Sequence, residues 1–198
     1  MQSIHLDLGC GTQPRNPYGA TDLHGVDIRS EQENSKTGGF TYTSANIALE
    51  PLPFIESYFD SVSAFDVLEH IPRQVVMPNG ELRLPFIQLM NEIHRVLKPG
   101  GVFLALTPAF PNEAAFVDPT HVNIITRQTH TYFTGSNPTA RMYGFNGNFR
   151  VRRARRDAPK NIYKPEQPNW RKWLRRAQHI LTNGSCSHMI WELTCEKS

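Results

Sequence analysis

The sequence predicts an α/β fold, and three observations carry the prediction. A short apolar run at residues 3–8 ends directly in Gly9-Cys10-Gly11, as a buried strand does when it closes in a tight turn. Phe86, Ile87, Met90, Ile93 and Leu97 recur at helical spacing through 84–97, and Lys98-Pro99-Gly100-Gly101 then stops the helix. Residues 102–107 follow as a continuous apolar strand, and a helix returning to such a strand is the unit of a parallel sheet.

The remaining elements follow in order. Residues 24–28, ending near Asp27, read as strand two; 40–44 and 61–65 read as strands three and four. Beyond Pro108 the chain turns irregular and rich in Pro, Thr, Asn and Gly through 147, with one helical stretch expected at 126–133. Residues 149–156 and 188–195 alternate their side chains and predict a final strand pair. Between them, 159–168 is linker-like and 170–181 reads as a basic amphipathic helix, with Trp170 and Trp173 on its apolar face.

A length of 198 residues suits one domain, read as a cofactor-binding half (1–107) and a substrate-loop and strand-helix-strand half (108–198). Apolar residues at 39% and charged residues at 20% exclude a disordered or low-complexity chain. No apolar run approaches the ~20 residues of a membrane helix, and the first residues lack the basic and apolar regions of a secretory leader, so the expected location is the cytoplasm. Three cysteines without metal-ligand spacing argue against a disulfide framework and structural zinc. Charge is uneven: residues 1–149 carry nine Lys/Arg against fourteen Asp/Glu, whereas 150–198 carry twelve against four. The basic set Arg150, Arg152, Arg153, Arg155, Arg156, Arg171, Lys172, Arg175 and Arg176 is either a solvated face or a seat for an anionic ligand.

Gly9-x-Gly11 lacks the third glycine of a dinucleotide fingerprint, because Thr12, Gln13 and Pro14 follow, and this disfavours NAD. A glycine turn after strand one and a carboxylate, Asp27, ending strand two instead suit a nucleoside cofactor without a pyrophosphate.

Four segments resemble the class I S-adenosylmethionine-dependent methyltransferases, in the branch called type 11. They are Leu6-Asp7-Leu8-Gly9-Cys10-Gly11; Gly25-Val26-Asp27-Ile28; Pro51-Leu52-Pro53-Phe54 through Phe59-Asp60 to Val67-Leu68-Glu69-His70-Ile71-Pro72; and Arg95-Val96-Leu97-Lys98-Pro99-Gly100-Gly101. The resemblance implies a Rossmann-like, mostly parallel seven-stranded sheet with an antiparallel C-terminal strand pair. It implies S-adenosyl-L-methionine as cofactor and S-adenosyl-L-homocysteine as product. By the same likeness Asp7, Gly9, Cys10 and Gly11 cradle the methionine portion, and Asp27 with Ile28 serves the ribose and adenine. Asn46 and Ile47 lie near the adenine, and Phe65 and Asp66 near the methionine end. The first helix is expected to be shortened by Pro14 and Pro17. Only two residues precede strand one, so the substrate lid that relatives build there is expected to be missing or to come from elsewhere, a partner domain or a second copy.

Methyl transfer to a hydroxyl needs alignment and a proton acceptor. His121 is the candidate base and Asp118 its orienter, in the loop after strand five; the bland alternative is a turn and cap built by Asp118 and Thr120. His70, beside Glu69, is the other candidate. Glu69, His70, Asp118 and His121 are metal-ligand types, but their spacing does not demand a metal and none is assigned. The leading expectation is O-methylation of a small-molecule or sugar hydroxyl, including glycans; the alternatives are RNA methylation through the basic segment and a non-catalytic cofactor-binding subunit.

Overall fold

The computed structural model describes residues 2–30, 39–157 and 187–197. The expected helix at 170–181 and the linker at 159–168 lie outside the described residues. Strands β1 (Ile4–Leu8), β2 (Asp22–Asp27), β3 (Thr41–Ser44), β4 (Phe59–Phe65), β7 (Leu97–Pro108), β8 (Phe149–Asp157) and β9 (His188–Cys195) form one sheet in the order β3-β2-β1-β4-β7-β9-β8. A two-stranded hairpin, β5 (Val75–Val76) and β6 (Leu82–Arg83), stands apart and leads into helix α1 (Pro85–Val96). The first five strands of the sheet are parallel, and β9 inserts antiparallel between β7 and β8. Parallel pairing brings the carboxyl ends of β1, β2, β3, β4 and β7 to one edge, where open α/β sheets bind ligands.

The two faces of the sheet differ. On one, α1 and the loops after β7 bury the main core, which includes Leu6, Leu8, Val62, Phe103, Trp191 and the helix residues Phe86, Met90 and Ile93. α1 starts on Pro85, whose missing N–H costs nothing there, and ends in basic His94 and Arg95, which suit the negative end of the helix dipole. Arg95 also ties down the Pro51–Phe54 segment: its guanidinium donates to Phe54 O (2.7 Å) and Leu52 O (2.9 Å) while pairing with Glu92 at 2.6 Å.

On the other face a smaller cluster (Phe65, Leu104, Leu106, Ile190) packs with Tyr18 beside a buried polar row. His5, Asp7 and Ser63 are fully buried, and Ser61 nearly so. The row has one self-consistent direction. Ser63 Oγ donates to Asp7 Oδ1 at 2.6 Å, so it accepts from His5 Nε2 at 2.8 Å, and His5 Nδ1 accepts from Ser61 Oγ at 2.7 Å. His5 is thereby a neutral imidazole, and burial pushes its pKa down to about 4.

Two expectations need correction. No helix forms between β1 and β2: residues 12–21 are turns and extended chain, because Pro14 and Pro17 remove donors and Gly19 sits at φ +64°. The helix expected at 126–133 is a 3-10 turn over Thr129–Phe133, with Thr129 Oγ1 accepting from Thr126 N at 2.9 Å. No helix among the described residues is long and apolar enough to cross a membrane.

His5 supplies a pH test. Its pKa is lower folded (about 4) than unfolded (6.5), so its contribution to stability is present above pH 6.5 and is lost as pH falls towards 4. The stability gap between the wild type and His5→Asn in urea titrations is expected to narrow by about 2 kcal/mol between pH 7.5 and 5. A constant gap would show that the imidazole is not held neutral.

Candidate functional site

The sheet's carboxyl edge gathers the glycine turn, Asp27 and the loops after β4 and β7. Gly9 and Gly11 adopt φ of +62° and +61°, and a Cβ on Gly9 would stand 2.4 Å from Val67 Cγ2, so this turn needs glycine on two counts. Asp27 Oδ2 accepts from Gly11 N at 2.8 Å and Oδ1 from Arg29 N at 3.2 Å. These two bonds fix the carboxylate at the mouth of the turn and leave it lone pairs for further donors. Ile28, next along, is 69% exposed. An approachable glycine backbone, a partly used carboxylate and an exposed apolar side chain fit a nucleoside cofactor that brings hydroxyls and a flat base.

Other predicted contacts lie behind this surface. The Asp7 carboxylate faces inward, where Oδ2 accepts from Arg15 N at 2.8 Å and holds the turn that replaces the first helix; burial raises its pKa to about 6. Cys10 is buried, and burial, with the charges of Asp7 and Asp27, pushes its thiol up to about 12. Phe65 is core, with the Arg15 guanidinium 4.9 Å from its ring centroid. Ile47 packs against the main core, and Asn46 shapes a turn by accepting from Ala48 N at 3.2 Å. Asp66, at φ +56°, stays at the edge with Oδ1 3.4 Å from His188 Nε2.

The loops after β4 and β7 meet in a second constellation. A 3-10 turn, Leu68–His70, leaves β4, and the chain at 121–124 is pinned onto it. Val122 N and Asn123 N both donate to Glu69 O at 2.9 Å, and the buried Asn123 amide donates to Leu68 O at 3.0 Å. Arg73 completes the clasp, its Nε donating to Asn123 Oδ1 at 2.7 Å and its Nη2 to Ile124 O. His70 and His121, fifty-one positions apart, thereby meet edge to face with ring centroids 4.8 Å apart.

Both imidazoles are oriented by neighbours. His121 Nδ1 lies 3.3 Å from Ala115 O; a carbonyl only accepts, so Nδ1 carries the proton and Nε2 keeps its lone pair. Asp118 Oδ2 is 3.9 Å from that Nε2, too far for a hydrogen bond but near enough to stabilise an imidazolium. Thr120 Oγ1 donates to Asp118 Oδ1 at 2.7 Å, so at 3.0 Å it accepts from His70 Nδ1. Its hydroxyl and backbone N–H hold the Asp118 carboxyl below its ordinary pKa. Asp118 shapes a local turn as well, since Thr120 N donates to the same oxygen at 2.8 Å, although no helix starts there. Glu69 is 1% exposed, accepts from Thr107 Oγ1 at 2.9 Å through Oε2, and is pushed up to about 7 by burial. Asn123 was not predicted as a site residue, and Glu69 was named only as a metal-ligand type beside His70. Only the Glu-His pair after strand four carried a signal in the sequence.

The strand arginines of the expected anion seat have partners within the chain. A bulge between Val151 and Arg153 shifts the alternation, so Arg150, Arg153 and Arg155 share the face of Thr194, Glu192 and Ile190. Arg150 pairs with Glu196 at 3.0 Å, Arg153 with Glu192 at 3.1 Å and Arg155 with Asp157 at 3.4 Å, while Arg152 donates to Thr194 and Arg156 to Phe110 O. Arg171, Lys172, Arg175 and Arg176 lie outside the described residues. A groove of about 530 Å³ near the N-terminal end of α1 is lined by Arg73, Phe86, Thr126, Tyr132 and Tyr143. A larger one, about 1070 Å³, lies by the helix's far end around Glu92 and Arg95, away from the glycine turn.

The family model of the methyltransferase domain matches residues 6–105, about half the chain. No curated protein matches. Among solved structures, the chain is similar to an S-adenosylmethionine-dependent methyltransferase from Mesorhizobium loti (14% identity, TM-score 0.54, covering 98% of this chain and 91% of that one). It is also similar to a chain of the complex between the Haloferax volcanii Trm112 methyltransferase activator and a methyltransferase (14%, TM-score 0.60, 98% and 83%). A third likeness is to the [4+2]-cyclase SpnF (16%, TM-score 0.58, 100% and 76%). At these identities the likeness concerns the fold alone.

Asn123→Ala removes the clasp and leaves Leu68 O buried without its donor. A loss of about 2 kcal/mol in denaturant unfolding is expected, together with loss of the nuclear Overhauser contacts between the His70 and His121 rings. Retention of both would show that the loop holds itself in place.

Proposed function

Because the chain belongs to the methyltransferase domain family, whose methyl donor is S-adenosylmethionine, we propose that it methylates a hydroxyl oxygen on a small molecule or sugar. The observation that carries this reading is the bare Nε2 of His121, held by Ala115 O on one side of the ring and faced by Asp118 on the other. Bound at the glycine turn, the cofactor supplies a methyl group on a positively charged sulfur. Gly9 and Gly11 would offer it an approachable backbone, Asp27 would accept from its ribose hydroxyls, and the exposed Ile28 would offer its base an apolar surface. Asp7, Cys10 and Phe65 act from behind, fixing the turn.

A hydroxyl is a poor nucleophile until it sheds its proton, and His121 Nε2 accepts that proton while Asp118 stabilises the charge formed on the ring. His70 packs edge-on against His121 and restricts its rotation. The groove near the N-terminal end of α1, lined by Arg73, Phe86, Thr126, Tyr132 and Tyr143, is the seat we assign to the acceptor. Polar Thr126 and exposed tyrosine rings in that lining suit a sugar or another small polyol.

Single-turnover transfer of labelled methyl to a panel of glycan and sugar-nucleotide hydroxyls tests the reading. His121→Ala is expected to slow the chemical step roughly 10²- to 10⁴-fold with cofactor affinity unchanged, and Asp118→Asn to slow it less. A His121→Ala protein that transfers at the wild-type rate would overturn the base.

A further inference from the structure

We propose that Glu69, His70 and His121 form a binding site for one divalent transition metal ion of the zinc class. One ligand atom from each lies within 4.8 Å of the other two. The hydrogen bonds around them decide what those atoms offer. Thr107 occupies Glu69 Oε2, and Oε1 is buried without a partner in a side chain that is 1% exposed. Ala115 O takes the Nδ1 proton of His121, and Thr120 Oγ1, itself donating to Asp118, takes that of His70. Each side chain is left with a lone pair: Glu69 Oε1 and the two Nε2 atoms. Acceptor atoms gathered this closely, one of them buried without a partner, suit a bound cation.

The donor set says which cation. Two imidazoles and one carboxylate suit zinc and its first-row neighbours, whereas magnesium and calcium prefer all-oxygen shells. Three protein ligands leave the fourth position open, as in catalytic rather than structural zinc sites. The outer contacts also match, because ligating histidines donate their second nitrogen to carbonyl or other oxygen acceptors, as His121 and His70 do. The clasp at Asn123 brings the two loops together, so the site exists only in the folded chain.

This site goes beyond hydroxyl methylation and does not rest on it. A lone pair on His121 Nε2 serves either a proton or a metal, so the general-base and metal-bound forms are alternative states of one nitrogen.

The test is titration of the full-length protein with Co²⁺ alone, free of cofactor and acceptor, read by its visible d–d absorption. One equivalent is expected to bind with the intense bands of a four- or five-coordinate site and to be displaced by Zn²⁺. Glu69→Gln, which keeps an oxygen for Thr107 but brings an N–H into the cluster, is expected to weaken binding roughly 100-fold or more, as is His70→Asn, with melting curves confirming that both fold. Absence of d–d bands in the wild type, or equal affinity in well-folded Glu69→Gln, would overturn the site. Because no methyl transfer is measured, cobalt binding without hydroxyl methylation would sink only the proposed function. A wild type that binds no cobalt, yet whose methyl transfer is slowed by His121→Ala, would sink only the metal.

Discussion

The chemical end of this molecule depends on one buried side chain, Asn123. Its amide spans the gap between the loop after β7 and the 3-10 turn after β4, donating to Leu68 O and accepting from Arg73. With two backbone donations to Glu69 O, these bonds close a loop of some fifty residues. Each such bond contributes only about 1 kcal/mol net, but leaving the buried partners unmet costs more, and that asymmetry makes the clasp all-or-none. Glu69, His70 and His121 lie on the two sides of it. Their meeting is therefore a property of the clasp, not of either loop.

The cofactor edge rests on a different constraint. Without a first helix, the turn after β1 is held from beneath by Asp7, whose carboxylate takes Arg15 N, and from the side by Asp27, which takes Gly11 N. Asp7 is in turn held by Ser63, His5 and Ser61 across the polar face of the sheet. Hydrogen bonds thus do the positioning of this turn that a first helix would otherwise do. Packing tolerances add to it: Gly25 faces Cys10 Sγ, which would lie 2.6 Å from an added Cβ, so the turn and β2 fit only with glycine there.

Much of the fold was legible because parallel strands buried on both faces leave continuous apolar runs. The sheet is seven-stranded and mostly parallel with an antiparallel C-terminal pair, as expected, and α1 stops just before Lys98-Pro99-Gly100. β8 and β9 lie where alternation placed them. Local signals were weaker where a long-range contact decides the outcome. Pro14 and Pro17 pointed to a short helix, yet with Gly19 they abolish it. The arginine alternation at 150–156 was real, but a one-residue bulge moved Arg153 onto the face of Arg150 and opposite Glu192, a pairing that the local sequence does not show. At the site, glycines and Asp27 stood out by spacing. Asn123 did not, because nothing in its own sequence shows that Leu68 waits for it, and the burial of Glu69 likewise emerges only once Thr107 lies beside it.

The central claim is that the glycine turn and Asp27 together seat the cofactor, and calorimetric titration with S-adenosylhomocysteine tests it most directly. The wild type is expected to bind one equivalent, and Asp27→Ala to bind roughly tenfold or more weakly, the effect of losing hydrogen bonds to a charged carboxylate worth about 1.5–3 kcal/mol. Equal affinity in a folded Asp27→Ala protein, or no binding by the wild type, would contradict the account.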